Sequence, residues 1–137
     1  MWLYTVNGFL SVVDKGERSD EGEVMLCVRS RARDDLSDLQ DYLSVVAHKH
    51  INIEETYHND YQYRMNVLKL DFMMYMAKKV SEIKYSNFKN ECYKSEAYGS
   101  RPEAVGGLGK IWQTTYEYLG ENHRISHDEW DPEKEFL

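Results

Sequence analysis

Apolar and polar residues alternate over 51–57 and again over 61–68, on either side of the polar His58-Asn59-Asp60, and then recur at helical spacing as far as Ile83. Period two marks a half-buried strand, and apolar positions three or four apart mark a helix. The stretch 51–83 therefore reads as strand, turn, strand, helix. Residues 9–46 repeat that plan. There, the strands 9–13 and 24–31 flank a charged, glycine-bearing loop at 14–23, and a helix follows with Asp34 as the expected N-cap. Its stripe is Leu36, Leu39, Leu43 and Val46, with Asp35, Asp38 and Asp41 pointing outward. In the second unit Asp71 is the expected cap, Phe72, Met73, Met76, Val80 and Ile83 form the stripe, and Lys78, Lys79 and Glu82 face solvent.

Outside the repeat the pattern is plainer. The apolar runs 2–6 and 9–13 flank Asn7-Gly8, which fits either a tight hairpin or one long strand with a glycine bulge. Residues 86–94 read as a short helix, and 95–107 as a linker containing Gly99, Ser100, Pro102, Gly106 and Gly107. Residues 108–119 form a last amphipathic helix with Leu108, Ile111, Trp112, Thr115 and Leu119 on its stripe, stopped by Gly120. The expected fold is α+β: a two-layer sandwich in which two strand-strand-helix units build a four-stranded antiparallel sheet, ferredoxin-like in permuted order, plus C-terminal helices. One domain is expected over 1–120, followed by an acidic tail at 121–137. Both helices then cover one sheet face, so the other becomes the place to look for function.

At 137 residues and 42% hydrophobic composition the chain can bury a core of its own. No apolar run reaches the roughly 20 residues of a spanning helix. The start of the chain lacks the basic and apolar regions of a secretory signal, so a cytoplasmic location is expected. Cys27 and Cys92 lie in segments that read as strand and helix, which suits two reduced packing residues. The net charge of −7 is uneven. Glu121, Asp128, Glu129, Asp131, Glu133 and Glu135 against Arg124 and Lys134 leave −4 on the tail and −3 on the rest. That balance argues against a broad, sequence-independent grip on nucleic acid and leaves room for a small local phosphate site.

The chemistry-bearing residues cluster by strand parity. Arg29 and Arg31 share a face of one strand, and Arg64 occupies the equivalent strand of the second unit. With Tyr4, Ser11, Gln62 and Asn66 nearby, three guanidiniums would make an anion or nucleotide-phosphate site. The competing reading is a solvated network in which they pair with Glu54, Glu55 or Asp60. Tyr57, Tyr61 and Tyr63 beside Arg64 are the residue types that stack unpaired bases. Alternation, however, sends Tyr61 and Tyr63 with Met65 and Val67 to the core.

His48 and His50, and His123 and His127, have metal-compatible spacing without further ligands at fixed distance, so no metal or other cofactor is expected. Glu54, Glu55, Asp60 and Cys27 are the residues with catalytic chemistry, but no nucleophile elbow, zinc helix or phosphate-loop motif accompanies them. Gly106-Gly107-Leu108-Gly109-Lys110 lacks phosphate-loop spacing and reads as a flexible helix entry.

Several short motifs occur in a recognisable order: Trp2-Leu3-Tyr4-Thr5, Gly8-Phe9, Ser11-Val12-Val13, Val28-Arg29 with Arg31, Glu55-Thr56, Asp60-Tyr61, Tyr63-Arg64 and Tyr85-Ser86-Asn87-Phe88-Lys89. In these the chain resembles a family of small uncharacterised bacterial and phage proteins over about residues 1–94, with a fainter likeness around Trp112. The loop 14–23, the segment 95–107 and the tail depart from it. No activity is established for that family, so the resemblance implies none. The expected function is a soluble interaction module that binds a protein partner, in a phage setting an accessory or counter-defence factor. The alternative is a nucleotide- or RNA-binding domain using the arginines. A homodimer through the same face is also open, and whether the chain is an enzyme stays open, a non-enzyme being the favoured expectation and a hydrolase belonging to the nucleotide alternative.

Overall fold

The computed structural model describes residues 1–120. They fall into two compact units, Met1–Lys84 and a second one beginning at Tyr85. The acidic tail, with His123 and His127, lies outside the described residues.

The first unit is α+β. Five strands, β1 (Trp2–Thr5), β2 (Gly8–Val13), β3 (Met25–Ser30), β4 (Glu54–Glu55) and β5 (Tyr63–Leu68), form one antiparallel sheet in the order β1-β2-β3-β5-β4. Helices α1 (Ser37–Val45) and α2 (Lys69–Ser81) follow β3 and β5. The sheet thus has five strands where four were expected, because residues 2–13 fold as a hairpin. Thr5 pairs with Gly8, so the two-residue turn is Val6-Asn7, one position earlier than the Asn-Gly signal places it. The Thr5 hydroxyl closes this turn, donating to the Gly8 carbonyl at 3.0 Å and accepting from the Asn7 N–H at 3.1 Å.

Gly8 opens β2 at φ +127°, a conformation that side-chain-bearing residues avoid. The reason is Asp35. Expected to point outward, this residue is instead buried, accepting from the Phe9 N–H at 3.1 Å and the Ser30 hydroxyl at 3.3 Å. Its carboxylate occupies the space a Cβ on Gly8 would need.

One core joins the sheet to both helices. Leu10, Val12, Val28, Met65 and Val67 pack against Leu36, Leu39, Tyr42, Leu43, Phe72 and Tyr75. Val12, Val28 and Met65 stand in line across β2, β3 and β5, so a single run of cross-strand contacts backs the layer. The expected strand 51–57 shrinks to two residues. Ile51 and Ile53 still pack on the core, but the Gln40 side chain donates to the Ile51 carbonyl at 2.9 Å, where no strand partner is present.

Neither expected carboxylate cap forms. Asp34 lies inside a 3₁₀ turn, Arg33–Leu36, that precedes α1, and α2 begins directly after β5, with Asp71 held by the Lys49 ammonium at 2.6 Å. The buried face of α2 is also rotated from the expected stripe. It is Phe72, Tyr75, Met76 and Lys79, while Met73, Val80 and Ile83 are exposed, as is Val46 at the end of α1. Tyr75 can be buried because its hydroxyl donates to Asp38 Oδ2 at 2.8 Å. Lys79, only 11% exposed, has its ammonium 2.6 Å from Asp38, 3.2 Å from Glu82 and 3.0 Å from the Asn7 amide oxygen.

The second unit is helical over its described residues: α3 (Phe88–Cys92), α4 (Glu96–Gly99) and α5 (Pro102–Leu119). Asn87 and Ser95 cap the first two through their side chains. The expected linker 95–107 is therefore mostly helix. Pro102 starts α5, where its missing N–H is harmless, and Gly106, Gly107 and Gly109 lie within the helix and not at a flexible entry to it. A Cβ at Gly106 or Gly107 would meet nothing within 4 Å. Gly106→Ala and Gly107→Ala should each raise the stability of this unit by about 0.5–1 kcal/mol. Chemical denaturation followed by circular dichroism reads this directly, and a loss in both variants would contradict a helix at these positions.

Cys27 and Cys92 are free and buried, as expected of packing thiols. Burial pushes the Cys92 thiol up to about 12. Among the described residues, no helix is long and apolar enough to cross a membrane.

Candidate functional site

On the sheet face away from α1 and α2, the ladder registers align residues that are far apart in sequence. Trp2 is opposite Ser11, Ser11 opposite Arg29, Arg29 opposite Arg64, and Arg64 opposite Glu54. One continuous row therefore crosses all five strands, about 19 Å long at the usual ~4.8 Å strand spacing. Tyr4 and Phe9, themselves opposite each other, form the adjoining row.

Arg29 and Arg64 are thus direct cross-strand neighbours, both half-buried. Arg29 Nη2 donates to the Ser11 hydroxyl oxygen at 2.8 Å, and Arg64 Nη2 donates to the Tyr61 carbonyl at 3.2 Å. The Nε of each is buried without a hydrogen-bond partner. Among the described residues, neither guanidinium has a carboxylate within ion-pair distance. Like charges directly opposite on a ladder repel, and a buried donor left unpaired costs about 1–3 kcal/mol.

The solvated network expected as the competing reading holds for one arginine of the three. Arg31 makes a two-pronged contact with Asp60 at 2.8 and 3.3 Å, both side chains well exposed, and this contact holds the Arg31 guanidinium above its ordinary value. Glu54 stands opposite Arg64 without pairing to it, and Glu55 accepts from the Gln62 amide at 3.3 Å. Nor is this face a plainly solvated one, since Ser11 and Cys27 on it are buried.

Tyr61 departs from the alternation. Tyr61 is buried, as expected of a core tyrosine, but β5 begins at Tyr63, so the period does not carry Tyr61 into the cluster under the helices. The Tyr61 ring instead lies 4.6 Å from the Arg29 guanidinium and 4.5 Å from that of Arg31, with Phe9 at 6.3 Å. Phe9 is the centre of an aromatic group. Tyr4 stacks on it at 4.7 Å and 18°, Trp2 meets it edge-on at 6.0 Å and 85°, and Arg31 lies 5.9 Å above it. Trp2 and Phe9 were missed by sequence reasoning. The signal that finds them is the hairpin register, which puts both on the face of Ser11 once the turn is fixed at Val6-Asn7.

The structure thus brings together Arg29, Arg31, Arg64, Tyr4 and Ser11. Gln62 is turned to Glu55, and Asn66 stands opposite Cys27, one row further along the ladder. Tyr57 is exposed and lies outside this group of rings. His48 adopts φ +54° just beyond α1, where the Lys49 N–H returns to the Leu43 carbonyl at 2.8 Å, a helix-ending arrangement. Among the described residues, no three His, Cys, Asp or Glu side chains are grouped to hold a metal ion. Comparison with protein-family models, with curated proteins and with solved structures finds no match.

Proposed function

We propose that the chain is a binding module for a phosphate-bearing ligand of nucleotide or RNA chemistry, docked on the sheet face that carries Arg29 and Arg64. The observation behind this reading is their juxtaposition: two guanidiniums opposite each other, each with an unpaired Nε–H and no carboxylate. A phosphate oxygen between them would accept from both and remove their repulsion. The Tyr4 ring, 37% exposed and stacked on Phe9, adds a surface for a planar group beside the charge. With Arg31 already neutralised by Asp60, the net local charge is small, so a modest affinity is expected.

Thermal unfolding with pyrophosphate and a panel of nucleoside mono-, di- and triphosphates tests this. The wild type should be stabilised by an amount that rises with the logarithm of ligand concentration above Kd, reaching about 2.7 kcal/mol at 100 times Kd. Arg29→Ala and Arg64→Ala should abolish that gain while costing little stability without ligand, since each also relieves repulsion. A wild type that none of these anions stabilises would overturn the reading.

The protein-partner reading has an observation of its own. Leu70, Met73, Met74, Ala77 and Val80 are exposed at helical spacing on the side of α2 turned from the core. Such a stripe, with two adaptable methionines, suits a partner helix or a second copy of the chain. Light scattering of wild type against Met73→Lys separates self-association from monomeric behaviour. As to architecture, we read the order β2-β3-β5-β4, with a helix after each strand pair, as a permuted ferredoxin-like arrangement to which β1 is added outside β2.

A further inference from the structure

We infer that the ligand of this face is an unpaired nucleic acid strand, with successive bases on Trp2 and Tyr4 and a phosphate between Arg29 and Arg64. This rests on the phosphate reading above and adds the ligand class. Trp2 and Tyr4 lie two residues apart on β1, so both rings stand on one face about 6.7 Å apart along the strand. That is twice the ~3.4 Å rise between stacked bases. Two bases seated on these rings are therefore splayed from each other. A duplex cannot present bases so, and a mononucleotide fills only one platform.

The two platforms differ in how they are held. Trp2 is 65% exposed and meets Phe9 at 85° in a T-shaped pair, a contact that covers at most one of its ring faces and leaves the other for a ligand. Tyr4, 37% exposed, has one ring face on Phe9, which fixes the ring and leaves the other face to a base. Charge lies to one side. The row from Trp2 through Ser11 reaches Arg29 after two strand spacings, about 10 Å, and Arg64 after a third. Aromatic surface is concentrated on β1 and β2, and the unpaired cations on β3 and β5. A polymer with bases to one side and phosphates to the other matches that division. Ring faces accept any base, so binding should tolerate sequence. Arg29 and Arg64, the two arginines of this row without a carboxylate partner among the described residues, clamp a single phosphate, so log K should fall against log salt with a slope near −0.7, the value for one phosphate contact to a single strand.

The test is fluorescence anisotropy of the full chain with labelled hexauridine and hexathymidine, competed by unlabelled duplex, uridine monophosphate and pyrophosphate. The single strands should bind at least tenfold more tightly than the monophosphate or the duplex. Trp2→Ala should weaken hexamer binding roughly 5- to 150-fold, the worth of one stacked base, while leaving pyrophosphate binding unchanged. Trp2→Phe should restore most of the loss, and its native circular dichroism controls for folding. Tighter hexauridine would identify RNA as the source of the ligand, and equal binding would identify either strand. Pyrophosphate binding without a gain from the hexamers, or without an effect of Trp2→Ala, would overturn the inference and leave the phosphate reading standing. Binding of neither pyrophosphate nor hexamer would remove both.

Discussion

Gly8→Ala should cost the first unit about 3 kcal/mol or more of unfolding free energy. Two effects add. A side-chain-bearing residue at φ +127° carries backbone strain of about 1–3 kcal/mol. A Cβ there would also lie 2.6 Å from the Asp35 Cβ, closer than van der Waals contact permits. Asp35 cannot simply retreat, because it holds the Phe9 N–H and the Ser30 hydroxyl in a buried setting. Moving it orphans the Phe9 N–H, whereas the Ser30 hydroxyl keeps the Ala32 carbonyl at 2.8 Å. Urea unfolding measures the loss, and a variant within 1 kcal/mol of wild type would contradict this hairpin geometry. The effect reaches the site, since the same hairpin aligns Trp2, Tyr4 and Phe9 with the arginine row.

The second large effect is alkaline. Burial, and then the charges of Asp38 and Glu82, push the Tyr75 hydroxyl well above its ordinary value in the folded chain, whereas in the unfolded chain it ionises near pH 10. Above pH 10 the unfolded state therefore releases a proton that the folded state keeps. The contribution is fully present below pH 10 and is lost as pH rises, at up to about 1.4 kcal/mol per pH unit. Tyr75→Phe should be less stable at neutral pH by about 1 kcal/mol, having lost the bond to Asp38, yet should lose stability less steeply between pH 10 and pH 12. Parallel pH curves for the two proteins would refute this account.

What the sequence disclosed and what it concealed divide along physical lines. Strand alternation correctly placed Arg29 and Arg64 on the same face, because period two is fixed by the backbone and β3 and β5 are regular across all six residues of each. Their direct opposition was not legible, because register depends on turns and on which strands pair. Tyr61 and Gln62 were misplaced for a related reason: alternation was extended past the point where β5 begins. Asp35 and Lys79 were assigned to solvent by residue type. Each is instead drawn inward by partners from distant segments, Phe9 and Ser30 for one, Asp38 and Asn7 for the other. Tyr75 was passed over because a tyrosine's burial hinges on a hydroxyl partner that lies 37 residues away on α1. Glycine and proline content suggested a linker at 95–107, yet proline suits the first turn of a helix and the three glycines there, Gly99, Gly106 and Gly107, sit in open space.

The two outer strands differ in a way that bears on aggregation. β4 is two residues long and both are glutamates, so another strand docking there would meet few free backbone groups and two negative charges. β1, Trp-Leu-Tyr-Thr, carries no charge and no proline. Cross-β growth of this sheet is thus barred at one side by brevity and charge, while the other side lacks both safeguards. Strand-to-strand association through β1 would stop at pairs of sheets, since each added copy contributes a single adhesive border and presents a repelling one.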